Sequence, residues 1–191
     1  MEDGYVQSVY GKGVQVIYQP VNDKTAFTVG GIESFQETVR RNKLRPVTQV
    51  IRFQTLSADE GLARESGFPL GSRLMMIRRV RTIDGKRLIL DINYFLEELV
   101  PGLTPEIAQE SIYAYLEKHL GMQIVTSKRR ITVERANAFD WECRLDLEGY
   151  DCLAVVTSNT FNSDGVMFEY TQSRHHPEYF SFQDTATRKR G

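Results

Sequence analysis

The sequence predicts an α+β domain built on a mainly antiparallel β-sheet with flanking helices. Strand-like alternation of apolar and polar residues comes in pairs, which are joined by short turn sequences such as Asp84-Gly85 and residues 163–165. Helical segments with recognisable caps are inserted between these pairs, a pattern typical of the α+β class. The 191 residues, of which 41% are hydrophobic, can bury the core of one such domain.

Composition gives no sign of a polyanion partner or a membrane segment. There are 24 basic and 25 acidic residues, for a net charge of −1. The cysteines, Cys143 and Cys152, form no CxxC motif, which indicates a reduced, cytoplasmic protein. No stretch has the length of a transmembrane helix, and no apolar run near the start resembles a signal peptide, so we expect no membrane partner.

Residues 1–18 are predicted to form two strands around the glycine-bounded turn Tyr10–Gly13. A lone two-stranded hairpin is marginal in water, so we expect it to be the end of a larger unit. Residues 19–30 are polar and interrupted by Pro20, as in a linker, and residues 31–191 form the main domain.

Two capping boxes and a strand begin the main domain. Ser34–Glu37 matches a capping box and predicts a helix over about residues 35–41. Residues 47–55 alternate as a strand, and a second box that begins at Ser57 predicts a short helix ending at Gly67.

The arginine-rich hairpin over residues 72–95 has a register that decides which side chains meet. A two-residue loop, Asp84-Gly85, would pair Arg81 with Leu88 and mix charge with core residues. A three-residue loop with Gly85 as a left-handed bulge pairs Val80 with Leu88 instead. We choose the three-residue loop, because a slip of one residue would turn a buried face outward.

That register places Arg79, Arg81, Arg87 and Asp91 together on one face. Forked guanidinium donors suit an anion, and a neighbouring carboxylate suits sugar hydroxyls, so the set suggests a phosphosugar pocket. A solvated sheet face with paired charges explains the same residues equally well.

Cap and alternation signals define the rest of the chain. The predicted elements are a helix that starts at Thr104-Pro105, a helix over 112–120 ending at Gly121, a strand over 123–134, a helix capped by Asn137 and running to about 147, a hairpin of 151–161 with 166–175, and a short strand over 178–182.

Enzyme signatures are absent from the sequence, which contains no GxSxG, HExxH, Walker A or GxGxxG motif. We therefore predict no catalytic residue and no cofactor. His175 and His176 are adjacent in a predicted strand and would point to opposite faces, so we predict no metal site. His119, near a helix end, is best explained by the helix dipole.

Several polar residues have two interpretations. Ser34 and Ser111 are placed to cap helices, although the same hydroxyls and neighbouring amides could hold a phosphate. Tyr113 suits helix packing. Glu169, Ser173 and His175 share one side of a strand while Arg174 faces the other way, and a solvated edge explains this polar strand end as well as a pocket does.

Six strings in this order carry a family resemblance. They are Ser34-Phe35, Arg79-Val80-Arg81 followed by Ile83-Asp84-Gly85, Leu90–Phe95, Ser111–Tyr113, Leu147–Asp151 and Tyr170–His175. Over residues 25–185 the chain resembles the UTRA effector-binding domain of GntR-family, HutC-type transcriptional regulators. Residues 5–13 look like the closing wing of that family's winged helix-turn-helix, so we expect the chain to begin just after the DNA-reading helices. Ser111–Tyr115 and Ser173–His175 are most like the trehalose operon repressors of Gram-positive bacteria.

The resemblance implies a set of ligand-binding residues. Arg79 and Arg81 would contact phosphate or sugar oxygens, and Asp91 would accept hydrogen bonds from sugar hydroxyls. Ser111 and Tyr113 match an element at the phosphate end. His175 stands where many relatives carry tyrosine, which favours a sugar other than that of the N-acetylglucosamine regulators. The predicted set is completed by Ser34 and Phe35 at the rim and by Glu169 and Arg174 on the last long strand.

The function implied by the resemblance is that of a sensor. The domain would bind trehalose 6-phosphate and thereby alter operator binding by an N-terminal winged-helix domain, within a homodimer. Two other classes are considered. The UTRA fold is similar to that of chorismate lyase, a small enzyme acting on an anionic substrate, and a purely structural dimerisation module would bind no ligand.

Overall fold

Long antiparallel strands dominate the computed structural model, which describes residues 6–9, 11, 13–16, 27–28 and 46–182. In chain order the elements are β1 (Val6–Val9), β2 (Gly13–Val16), β3 (Phe27–Thr28), β4 (Pro46–Ser57), α1 (Glu60–Ser66), β5 (Arg73–Ile83), β6 (Lys86–Leu96), α2 (Pro105–Glu110), α3 (Ile112–Lys118), β7 (Ile124–Arg135), α4 (Ala138–Glu142), β8 (Cys152–Asn162), β9 (Met167–His175) and β10 (Phe180–Ser181), with 3₁₀ turns at Glu97–Leu99 and Pro177–Tyr179.

The main sheet has six strands in the order β4-β5-β6-β9-β8-β7, and every neighbouring pair is antiparallel. Two three-stranded meanders therefore meet at β6 and β9. The chain crosses from β6 to the far edge strand β7 through α2 and α3. This arrangement confirms the predicted α+β class with a mainly antiparallel sheet.

Apolar side chains cover both faces of this sheet. On one face, Ile77 and Phe95 pack against Ala108, Ile112 and Leu116 of α2 and α3. We call this the helix face. On the other face, a second buried cluster joins the sheet to the segment after α4; it contains Val80, Leu90, Ile92, Cys143, Leu145, Leu147, Leu153 and Val155. Any polar group in the middle of the helix face is therefore removed from water and needs a partner.

The predicted register of the β5–β6 hairpin is wrong. The turn has two residues, and the positive φ angles of Asp84 (50°) and Gly85 (82°) are those of a type I′ turn, whose twist matches the strands. The register then shifts, because Arg81 pairs with Ile89 while Thr82 pairs with Arg87, so Leu88 is a bulge residue.

The bulge decides which charged residues share a face. It sets Arg79 directly opposite Asp91, so Arg79, Arg81 and Asp91 lie on one face as predicted, although through a different register. Arg87 does not join them. It pairs with Thr82 and its Nη1 donates to the carbonyl oxygen of Cys143 at 3.1 Å, on the opposite face.

Helix boundaries follow the predicted caps with two corrections. The cap of α1 is Asp59, whose Oδ1 accepts from the Leu62 amide at 2.8 Å, whereas Ser57 is the last residue of β4. The helix capped by Asn137 ends at Glu142 rather than near residue 147. Arg144 has a positive φ of 51°, which ends the helix and lets Leu145 enter the core.

The amino-terminal strands β1 and β2 pair as the predicted hairpin, with Val6 opposite Val16. The short strand predicted near residue 180 is β10, which pairs in parallel with β3. The helix predicted over residues 35–41 lies outside the described residues. Among the described helices, none combines the length and the apolar character needed to cross a bilayer.

Candidate functional site

Charged and polar side chains lie at the centre of the helix face. Backbone pairing sets Arg79 of β5 opposite Asp91 of β6, and Asp91 opposite Ser173 of β9. Arg81 lies two residues beyond Arg79 and therefore on the same face. Five of the predicted site residues are buried on this face: Arg79, Arg81, Asp91, Glu169 and His175.

Two buried guanidinium groups share one carboxylate. Arg79 and Arg81 are 7% and 4% exposed. Arg81 Nε donates to Asp91 Oδ2 at 2.7 Å, Arg81 Nη1 donates to Thr48 Oγ1 at 3.0 Å, and Arg79 Nη2 lies 3.8 Å from the same Asp91 oxygen. Burial raises the pKa of Asp91, but the charges of Arg81 and Arg79 outweigh it and hold the pKa at about 2. The ionised carboxylate thus neutralises only one of the two guanidinium charges.

Arg79 retains an N–H group that can donate to a ligand. Its Nη1 donates to the Ala108 carbonyl oxygen of α2 at 3.1 Å and its Nη2 to Asn93 Oδ1 at 3.0 Å. Its Nε is buried and has no hydrogen-bond partner within the described residues. Burial and the neighbouring charge of Arg81 lower the pKa of Arg79 to about 10, so it is still protonated at neutral pH. Because an unsatisfied buried donor is costly, an incoming acceptor would gain most at this nitrogen.

Ser173 connects Asp91 with His175. Ser173 Oγ donates to Asp91 Oδ1 at 2.6 Å and lies 2.9 Å from His175 Nε2. Since the single serine hydrogen goes to the carboxylate, Nε2 must carry the hydrogen that Ser173 accepts. Burial lowers the pKa of His175 to about 4 although the charge of Asp91 opposes it, so the ring is neutral at pH 7. With the serine between acid and imidazole, the group lacks the order that activates a nucleophilic serine.

Glu169 organises a second polar group, nearer to α3. Its Oε1 accepts from Asn93 Nδ2 at 2.9 Å and from Thr171 Oγ1 at 2.7 Å, and its Oε2 accepts from the Tyr113 hydroxyl at 2.6 Å. Burial and the charge of Glu169 raise the pKa of Tyr113 well above its ordinary value, so the phenol keeps the proton it donates. These bonds join α3 to β9 beside the paired arginines. Tyr113 is thus a polar partner as well as a packing residue.

Ser111 lies at the junction of α2 and α3. Its Oγ accepts from the Ala114 amide at 3.2 Å, which makes it the N-cap of α3. The capping interpretation is therefore confirmed, and a phosphate contact of Ser111 stays a prediction.

Arg174 is separated from the other predicted site residues. It is 1% exposed and lies on the opposite face, where its Nε and Nη2 donate to the two carboxylate oxygens of Asp140 at 2.7 and 2.9 Å. Its Nη1 donates to Glu134 Oε2 at 2.8 Å. This bonding ties β9 to α4 and β7, so we remove Arg174 from the candidate ligand-binding set.

Two predicted site residues could not be placed, and two others were found only in the structure. Ser34 and Phe35 lie outside the described residues. Asn93 and Thr48 belong to the site but were missing from the predicted set. Asn93 could have been found from its place two residues after Asp91, whereas Thr48 depends on a strand pairing that the sequence does not reveal. In the described part of the chain, no cluster of three or more histidine, cysteine, aspartate or glutamate side chains could hold a metal ion.

The arrangement suits an anion that also carries hydroxyl groups. Arg79 and Arg81 supply forked donors, and Glu169 supplies acceptor oxygens within the same face. Rigid partners hold each of these side chains, which reduces the conformational entropy lost on binding.

Comparison with known sequences gives a consistent family. The UTRA domain profile matches residues 41–181. The HTH-type transcriptional regulator TreR of Bacillus subtilis (strain 168) is 36% identical over 187 residues, which cover 98% of this chain and 77% of that protein. The HTH-type transcriptional regulator GmuR of the same organism is 24% identical over 174 residues, covering 89% and 71%.

Comparison with solved structures gives the same result as the sequence comparison. The effector binding domain of the B. subtilis trehalose repressor TreR superposes with a TM-score of 0.68 at 38% identity, covering 75% of this chain and 99% of that one. PhnF from Mycobacterium smegmatis superposes with a TM-score of 0.73 over 98% of this chain and 80% of that one. At 21% identity the second match shows a shared fold alone.

Proposed function

The chain belongs to the UTRA-domain family of GntR-type transcriptional regulators, and from that premise we propose that it senses a phosphosugar, trehalose 6-phosphate, for a repressor. The observation that carries the proposal is the pair of buried arginines, Arg79 and Arg81, which share one carboxylate and leave the Arg79 Nε without an acceptor in the described part of the chain. A phosphate group would supply the missing acceptor at the Arg79 Nε and strong charge-assisted hydrogen bonds to both guanidinium groups.

The sugar part of the ligand would meet the polar groups beside the arginines. Glu169 can accept hydrogen bonds from sugar hydroxyls, and neutral His175 lies at the far side of Asp91. Both oxygens of Asp91 already accept from Arg81 and Ser173, so we assign Asp91 the role of holding the arginines rather than the sugar contact that the family resemblance implies.

Control of DNA binding follows from linkage between the two sites. A ligand changes operator affinity only if it binds the DNA-competent and DNA-incompetent states differently. We propose that residues 1–18 are the wing of a winged-helix domain, that 19–30 link it to the sensor of 31–191, and that the repressor works in the cytoplasm. The relatives are transcriptional regulators, and we propose binding without turnover.

A homodimer is part of the proposal, since operators with two-fold symmetry match two-fold proteins. The edge strand β7 supports it, because Ile131 and Val133 are 37% and 76% exposed on a strand whose outer edge pairs with no other described strand. A long edge strand with exposed apolar residues is a template for pairing with another chain. Sedimentation equilibrium should give twice the mass of the chain; a monomer at concentrations far above those of a cell would contradict the dimer.

Titration calorimetry tests the proposed ligand. Trehalose 6-phosphate should bind at least tenfold more tightly than trehalose, because each charge-assisted hydrogen bond contributes about 1.5–3 kcal/mol. Arg79→Lys should remove most of that preference, since a point charge cannot replace the planar fork. Arg78→Lys is the matched control, because Arg78 also has a buried Nε without a partner in the described residues but lies on the opposite face, where its guanidinium stacks 4.1 Å from the Phe139 ring centroid. Equal affinities for trehalose and its phosphate would refute the proposal.

A further inference from the structure

The candidate site is closed at the arginine end and opens towards β7. Arg79, Asp91, Asn93 and Glu169, on β5, β6 and β9, are at most 7% exposed. The polar residues further along the same face are half-buried; they are Thr171 of β9, Ser158 of β8, and Ser127 and Arg129 of β7. A ligand anchored at the arginines can therefore extend in one direction, across β9 and β8.

Backbone pairing makes these residues one row. Asn93 lies opposite Thr171, Thr171 opposite Ser158, and Ser158 opposite Arg129. Residues that face each other in this way project from the same side of a sheet. The row starts in the buried polar group around Asn93 and ends at the cationic side chain of Arg129.

Arg129 has the position of a ligand contact rather than of a structural charge. No side-chain hydrogen bond or ion pair of Arg129 is formed within residues 46–182. Nearby, Ser127 Oγ lies 3.4 Å from Thr160 Oγ1, which itself lies 3.5 Å from the Tyr113 hydroxyl. Burial and Glu169 raise the pKa of Tyr113, and the charge of Arg129 is close enough to oppose them. The strand register places Arg129 on the same face as the polar group that contains Glu169.

The length of the row sets the size of the ligand. β5 and β7 are separated by four strand spacings, or about 19 Å between their backbones. The long side chains of the arginines at both ends shorten the gap that a ligand must fill. A single hexose phosphate held by Arg79 and Arg81 covers the first part of this row, and a second ring is needed to reach Ser158 and Arg129.

We propose that Ser158 and Arg129 contact the second sugar ring of the ligand, which lies across β6, β9 and β8 when its phosphate is bound at Arg79 and Arg81. Arg129 is then the residue that distinguishes a disaccharide phosphate from a monosaccharide phosphate. This inference rests on the proposed function and goes further by assigning the second-ring contact.

Calorimetry on the full chain with trehalose 6-phosphate and glucose 6-phosphate tests the assignment. Arg129→Met keeps much of the aliphatic side chain and removes the charge. It should weaken trehalose 6-phosphate about five- to tenfold, the worth of one partly solvated charge-assisted hydrogen bond, and leave glucose 6-phosphate unchanged. Arg130→Met, which makes the same change on the opposite and exposed side of β7, should alter neither affinity.

Each other outcome overturns the inference. Equal losses for both sugars would mean that Arg129 acts on the phosphate or through its general charge, and no loss for either would mean that the far ring lies elsewhere. Ser158→Ala provides a second test, because it should weaken the disaccharide phosphate alone. If the unmodified chain bound neither sugar phosphate, the proposed function would fail together with the inference. If the unmodified chain bound both equally and Arg129→Met changed neither affinity, only the inference would be refuted.

Discussion

Replacing Asp91 by asparagine keeps the shape of the side chain and removes the negative charge between two buried arginines. Asp91 Oδ2 accepts from Arg81 Nε at 2.7 Å and lies 3.8 Å from Arg79 Nη2. Removing one partner of a buried ion pair costs about 3–5 kcal/mol, because the other charge stays buried. In a protein of 191 residues each kcal/mol lowers the melting temperature by about 2–4 °C. We therefore expect Asp91→Asn to melt about 6–20 °C below the unmodified chain at pH 7.

The pH dependence of this loss identifies its cause. The pKa of Asp91 in the fold is about 2, below its ordinary 3.8, so the carboxylate contributes stability above pH 3.8 and loses it as the pH falls towards 2. In thermal unfolding monitored by circular dichroism, the deficit of Asp91→Asn should be complete at pH 7 and should shrink below pH 3.8. Asp84→Asn is the control, because it makes the same change in the exposed turn, at a positive φ that asparagine tolerates. An Asp91→Asn chain as stable as the Asp84→Asn chain at pH 7 would refute the electrostatic account.

Three further predictions concern neighbouring groups. The pKa of His175 is lowered from 6.5 to about 4, so its contribution to the free energy of unfolding is complete above pH 6.5 and falls by about 3 kcal/mol towards pH 4. In urea unfolding, the stability of His175→Gln should therefore vary less with pH across that range than the stability of the unmodified chain. Asp140→Asn leaves Arg174 without a full counter-charge and should cost about 3–5 kcal/mol in the same assay, with sugar-phosphate affinity unchanged in calorimetry. Tyr113→Phe removes the bond to Glu169 and should cost about 1.5–3 kcal/mol, and a smaller loss in urea unfolding would show that this bond does not hold α3.

The sequence was a good guide to elements and a poorer one to register. Alternation and turn residues predicted all six strands of the main sheet, because successive side chains of a strand face opposite sides and the sequence shows this period of two directly. The β5–β6 register failed because the turn has two residues instead of three and a bulge at Leu88 then shifts the pairing. A bulge depends on packing across several strands, so the hairpin sequence alone does not reveal it.

The candidate site was predictable where it depends on local spacing and unpredictable where it depends on distant partners. Arg79 and Arg81 share a face because they are two residues apart in one strand, and Asn93 could have been added to Asp91 by the same rule. Arg174 shows the limit. The alternation placed it on the other face. Its hydrogen-bond acceptors are Glu134 and Asp140, which are 40 and 34 residues away, so the sequence could not show that the protein itself satisfies this guanidinium.

Arg79 and Arg174 differ in how fully the protein itself satisfies a buried arginine. Both are buried, both belong to the same sheet, and burial alone does not tell them apart. Arg174 has a hydrogen bond at every nitrogen, two of them to a fully buried carboxylate, so a ligand would gain little there. Arg79 shares its counter-ion with Arg81 and keeps a buried Nε with no acceptor in the described residues. A fold that leaves such a donor unsatisfied loses stability that an anionic ligand can restore, and this difference between empty and occupied states is the free energy that a sensor needs.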